Sequence, residues 1–205
     1  MRILLLLVVV VVSVSGCTPV MKTLYGIKNP KIETRESILS YSSKIKMDTA
    51  LVVTLDTAMY LNTFVRIGKS VPEAELYDKR GTNITYRQKE QDCNAGLFGF
   101  LPELKKDSVY RRKDNFTLER QLASLRDLNG NKINLDTTGA PDYYLFLYWV
   151  RWMGRLNKDH VMEWEALAKS NKNVKIKVIK VNLDFQDWWS DPYEQKVLTA
   201  MGGKK

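Results

Sequence analysis

Residues 148 to 168, YWVRWMGRLNKDHVMEWEALA, gather side chains that could do chemistry. Trp149 and Trp152 close an apolar run, Met153 and Gly154 follow, and Arg155 opens an amphipathic helical pattern. A helix N-terminus carries partial positive charge on its unpaired N–H groups, so it favours an acceptor or an anion, and Arg155 adds to that field. Cys17 and Cys93 are the whole thiol content of the chain. Cys93 is expected in the first turn of a helix, where the helix end makes a thiol more acidic. With no second cysteine nearby to resolve a mixed disulfide, it could act only as a monothiol. The other reading of Cys93 is a small, half-buried helix-start residue. His160, the single histidine, reads as packing on a helix flank. No Cys or His set falls at metal-ligand spacing, so no metal or other cofactor is expected. There is no phosphate loop and no Gly-x-Ser-x-Gly elbow. Trp188 and Trp189, among Asp184, Asp187 and Asp191, could stack on a sugar ring or pack as core.

The pattern around these groups predicts an α/β chain. Thr34 is a suitable N-cap for a helix with Ile38, Tyr41 and Ile45 on one face. ALVVTLD, residues 50 to 56, is of strand type, and TAMYLNTFVRI has apolar residues at helical spacing. VPEAELYDKRGTNITYR reads as two strands joined at 79 to 81, with Gly81 supplying positive φ. Asp92 is a candidate cap for a helix through Leu97, Phe98, Leu101 and Leu104, which Pro102 should kink. Residues 107 to 120 read as a charged linker. LASLRDLNGNKINLD carries a hairpin signal at Asn129–Gly130. DYYLFLYWV is the kind of strand buried on both faces of a sheet. A helix from about Met153 to Lys169 follows, with Met153, Leu156, Trp164, Leu167 and Ala168 inward. VKIKVIKVNLD alternates Lys with Val and Ile, which predicts one buried and one wet face. Asp191, Pro192 and Glu194 signal the start of a last short helix.

The N-terminus bears on the compartment. Arg2 is followed by an apolar run over residues 3 to 12, too short for a transmembrane helix, which needs about 20 residues. SVSGC then places small residues ahead of Cys17, and this resembles the lipobox of bacterial lipoproteins. The resemblance implies a cleaved signal over residues 1 to 16, a lipid (palmitate) on Cys17, and a body held to the cell envelope at the periplasmic face or the cell surface. An ordinary signal peptide or an uncleaved anchor is the alternative. Residues 18 to 33 lack periodicity and read as a tether. The formal charge is +9 with basic residues spread along the chain, which suits anionic headgroups or envelope glycans better than nucleic acid. The sequons at Asn83 and Asn115 carry no meaning in a bacterial lipoprotein.

Strand, Trp-x-x-Trp, helix, strand ending in VNLD: this order resembles the thioredoxin-like proteins, and in particular lipid-anchored redoxins of the TlpA type from Bacteroidetes-type bacteria. Trp149 and Trp152 match the two tryptophans of that motif, Gly154 its glycine, and Lys158 falls close to its lysine. Met153 stands at the attacking cysteine and Leu156 at the resolving one, so the CxxC pair is missing. DLNGNKINL is similar to the hairpin that precedes the first core strand of such redoxins. Residues 34 to 106 resemble the later half of the fold and 122 to 185 the earlier half, in swapped order. The resemblance implies that Val71–Pro72 is a cis-proline loop facing Met153, and that the strand from Glu73 lies beside strand 143 to 149. It implies a redox-inactive protein whose old active-site surface (Trp149, Trp152, Met153, Gly154, Arg155, Val71 and Pro72) binds an envelope protein or remains as scaffold. A monothiol activity of Cys93 and glycan binding are the rival functions.

Overall fold

The computed structural model describes residues 22–67, 70–89, 92–106, 108–113, 116–135, 139, 141–189 and 199. The apolar leader, Cys17, Asn115 and the helix expected from Asp191 lie outside them. In chain order the elements are β1 (Ile32–Glu33), α1 (Arg35–Lys44), β2 (Val52–Leu55), α2 (Thr57–Arg66), β3 (Glu73–Asp78), β4 (Asn83–Ile84), α3 (Gly96–Glu103), α4 (Leu118–Ala123), β5 (Leu125–Arg126) and β6 (Tyr143–Trp149). A helical run follows, made of α5 (Arg155–Asn157), a π-helical turn (Lys158–Met162) and α6 (Glu163–Ser170), before β7 (Ile176–Asn182) and β8 (Phe185–Gln186).

The fold is mixed α/β, built on a mixed sheet of order β4-β3-β6-β7-β2-β5 flanked by helices. β6, β7 and β2 run parallel, while β3 pairs antiparallel with β6, β4 with β3, and β5 with β2. The two strand neighbours expected for residues 143 to 149 are therefore both present. Strands from the two sequence halves are interleaved in one sheet, because β6 and β7 sit between β3 and β2. β6 is buried along its whole length, and its side chains alternate between two cores. Tyr143, Leu145, Leu147 and Trp149 join Ile38, Leu97, Leu101 and Trp164, while Tyr144, Phe146 and Tyr148 join Tyr60, Leu118 and Trp189.

Local chemistry sets the helix starts. Thr34 caps α1 by accepting the Ser37 N–H at 3.2 Å, and Asp56 caps α2 by accepting the Met59 N–H at 2.8 Å. Asp92 does not cap α3; its carboxylate accepts the Lys89 N–H at 2.8 Å, and the helix begins later, at Gly96. Pro102 sits in the last turn of α3, so the expected kink is instead the helix end. There the Asn171 side-chain amide donates to the carbonyls of Leu101 and Leu104 at 2.8 and 3.1 Å.

Three stretches differ from the pattern reading. Residues 118 to 123, where the end of the linker and the start of the hairpin were expected, form a helix, because Thr117 caps them and Leu118 and Gln121 are drawn inward. The hairpin shrinks to β5 and a bridge from Arg126 to Lys132 around Gly130, at φ 87°. Of the charged 107–120 stretch, residues 111 to 113 extend the sheet edge, with Thr85 N–H donating to Arg111 O and Lys113 N–H to Asn83 O. The wet face expected of β7 is not wet at Lys180, which is 1% exposed because α6 lays Glu165 over it at 2.7 Å.

Candidate functional site

β6 delivers the chain to one end of the sheet, where a tight turn (Arg151–Met153) leads into α5. Trp149 does not belong to that surface. It has the strand parity of Leu145 and Leu147, is fully buried, and stacks on Tyr41 with centroids 6.1 Å apart. Trp152 and Met153 are half-buried, and with Leu156 and His160 they form one wall of a cavity of about 440 Å³. Val71, Pro72 and Asn94 form the facing wall. The Val71–Pro72 peptide is cis. The Asn94 side-chain amide donates to Pro72 O at 2.6 Å, which ties the start of α3 to the proline loop.

A polar cluster beneath the turn fixes its shape. The Asn157 amide, fully buried, donates to Val150 O at 2.8 Å and to the Tyr41 hydroxyl at 3.0 Å; that hydroxyl donates to Gly154 O at 2.8 Å. Asp184, also fully buried, accepts the Arg151 N–H at 2.7 Å and an N–H of the Asn182 amide at 2.8 Å. Arg151 in turn forms an ion pair with Glu33. Burial pushes the Asp184 carboxyl up to about 7, with the Glu33 charge adding to the effect; the hydrogen bonds from Asn182 and Arg151 oppose it.

No family model, curated protein or solved structure matches this chain.

Residues 22 to 33, read from sequence as a tether, lie against this site. A helical turn at residues 22 to 25 closes through Ile27 N–H to Lys22 O at 2.8 Å, and Lys28 N–H donates to Trp152 O at 2.8 Å. β1 then pairs in parallel with β8. Gly154, at φ 55° and ψ −127°, lets the backbones touch: a Cβ there would overlap the carbonyls of Tyr25 and Gly26. The chain's own residues 25 and 26 therefore pack directly on the glycine that opens the helix. Arg155 is exposed and pairs with Asp159 at 3.3 Å instead of pointing at a ligand. Gly154→Ala should detach residues 22 to 28 and cost about 1–3 kcal/mol from backbone strain alone. Faster tryptic cleavage at Lys22 and Lys28 checks this; unchanged cleavage and unchanged stability would reject it.

The other sequence candidates lie apart or change role. Cys93 is exposed and free, and it precedes α3 rather than sitting in its first turn. Trp189 is buried against Tyr60, with centroids 4.8 Å apart, and Trp188 is half-buried over Gly130, so they do not form an open stacking pair. Ser70, Asn94 and His160 line the cavity, although the sequence did not single them out for it. For His160 a signal existed, since it follows Leu156 by one helical turn and shares its face. Its ring also packs on Trp164 at 5.2 Å, so the packing role expected of it holds as well. Among the described residues, no group of His, Cys, Asp and Glu could hold a metal, and no helix is long and apolar enough to cross a membrane.

Proposed function

We propose that this chain is a lipid-anchored envelope protein that binds a partner on the surface formed by Pro72, Trp152, Met153 and Leu156, without thiol–disulfide chemistry. The cavity between the proline loop and the helix start carries this reading. Its volume of about 440 Å³ lies within the usual ligand-site range of about 300–1,000 Å³. Its wall is a thioether, an indole and an isobutyl group, with no thiol among the described lining residues. A thioether does not ionise and cannot attack a disulfide. The polar cluster below holds the wall in place, as a preformed binding surface requires. The reading includes a thioredoxin-like sheet entered in permuted order, supported by the strand neighbours of β6 and by Pro72 and Met153 sharing one cavity.

A second reading, a monothiol protein acting through Cys93, is favoured by one observation: Cys93 is exposed and its neighbour Asn94 lines the cavity. One pair of assays tests the reading and separates it from this rival. Palmitate labelling should depend on Cys17, and Cys17→Ala should leave the protein uncleaved or released from the membrane fraction. The full chain should give no turnover in insulin reduction. Labelling that survives Cys17→Ala would remove the anchor from the proposal, and turnover lost in Cys93→Ser would replace binding by monothiol chemistry.

A further inference from the structure

Residues 17 to 32 carry Lys22, Lys28 and Lys31 and no Asp or Glu. Lys31 is engaged by Glu33 at 3.8 Å. Lys22 and Lys28 are exposed, and neither has an ion-pair partner among the described residues. The backbone between them is folded back on itself. Ile27 N–H donates to Lys22 O at 2.8 Å and Gly26 N–H to Thr23 O at 3.2 Å, so the two lysines flank one closed turn. That turn is seated on the body through the Lys28 N–H bond to Trp152 O and the packing of Tyr25 and Gly26 on Gly154.

Leu24 lies between the lysines and is 60% exposed. A lone exposed leucine is ordinary, and its setting is what counts here. Tyr25 and Ile27 are half-buried beside it, and a lysine stands on each flank. An apolar tip with basic flanks suits a segment lying in a lipid interface. The leucine enters the acyl boundary, while the lysine stems let their ammonium groups stay among the phosphates.

Chain length decides which surface the turn meets. Five residue steps separate Cys17 from Lys22, and at most about 3.6 Å per step limits that span to about 18 Å, whatever path the chain takes. A lipid on Cys17 therefore keeps the turn close to the headgroups. There an anionic leaflet favours each added Lys by about fivefold in affinity. We propose that the turn of Lys22, Leu24 and Lys28 docks on the anionic phospholipid interface of the membrane that holds the anchor, an inference that rests on lipidation of Cys17. Because Lys28 is bonded to Trp152, docking places the cavity lined by Trp152 beside the bilayer.

The test uses the lipidated full chain with Cys93→Ser, labelled with bimane at Leu24→Cys. It is placed in vesicles of phosphatidylcholine and phosphatidylglycerol in equal parts, with a nitroxide on a fraction of the headgroups. The comparison label is at Val109→Cys. Val109 is 99% exposed and shares a cavity with Tyr143, which starts β6 at the end away from Trp152. Quenching at Leu24 and none at Val109 is expected. Lys22→Gln and Lys28→Gln should each lower the ratio of quenched to unquenched label about fivefold, and pure phosphatidylcholine should lower it at least that far. Lys172→Gln, exposed and outside the turn, should leave it unchanged. Circular dichroism of each variant controls for folding. Equal quenching at Leu24 and Val109, no quenching at either, or indifference to both lysine variants would overturn the docking; an acylated intact mass would leave the anchor standing. An intact mass without acyl groups on Cys17 would overturn both.

Discussion

Glu75→Ala should destabilise the protein by about 3–5 kcal/mol, the usual cost of removing one partner of a buried ion pair. The Glu75 side chain is 0% exposed in the middle of β3. It pairs with Arg66, accepts the Tyr148 hydroxyl at 2.6 Å, and has Lys113 at 3.5 Å. Truncation leaves the Arg66 guanidinium, at 13% exposure, with Gln121 Oε1 at 2.9 Å but no carboxylate, and deprives a fully buried phenol of the Glu75 acceptor. Burial, with the Glu75 charge beside it, holds the Tyr148 hydroxyl protonated well above the ordinary tyrosine range, so it remains a donor in search of an oxygen. Typical domains have about 5–15 kcal/mol in total, so this loss is a large share. Replacing the pair together, as Glu75→Leu with Arg66→Met, should recover much of it, because a packed apolar pair avoids the desolvation cost. Urea midpoints decide the matter; a loss below about 1 kcal/mol for Glu75→Ala would contradict the assignment of this cluster as the anchor of β3.

Asp184→Asn should have an effect that depends on pH. The folded value of about 7 lies above the unfolded reference of about 3.9. Between those values the folded protein keeps a proton that the unfolded chain has released, so stability falls as pH rises across the window and is level above it. About three pH units at 1.36 kcal/mol each set a ceiling of about 4 kcal/mol, and about 2–4 is expected given the coupling to Glu33 and Arg151. The Asn variant escapes this penalty. Its advantage over the wild type should be small near pH 4 and full near pH 8. A difference that does not change with pH would mean that Asp184 is ionised throughout. Asp184 accepts the backbone N–H of Arg151, so this proton sits at the base of the Trp152 turn.

The sequence was most legible where the deciding interaction is local. The β6 run, the Thr34 cap and the β3–β4 turn each depend on neighbours a few residues away, and each falls where the pattern puts it. Lys180 was misread because alternation describes a strand alone, whereas Glu165 reaches it from another element. Residues 118 to 123 were misread because the charged linker was run on to residue 120, past the cap at Thr117, and the hairpin was begun at Leu122. In the site, the proline loop and the Met153 turn were legible as two separate motifs. Their meeting on one cavity was expected from the family resemblance alone, whereas the inward parity of Trp149 and the packing of residues 22 to 28 on Gly154 depend on chain paths that no local pattern records.

That packing also bears on how the surface would be used. Lys28 is bonded to Trp152 O, and Lys22 lies a few residues from Cys17. An anchor at Cys17 would then keep the Trp152 end of the body near the membrane.

The central claim is that the cavity of Pro72, Met153 and Leu156 is where a partner binds, and that no thiol takes part. Its most direct test places a photo-crosslinking benzoylphenylalanine at Leu156 in living cells, with Val65 as the control. Val65 is 63% exposed on α2 and outside the cavity lining. A discrete adduct is expected at Leu156, absent at Val65 and retained in Cys93→Ser. The same adduct pattern at both positions, or an adduct at Leu156 that vanishes in Cys93→Ser, would contradict the claim.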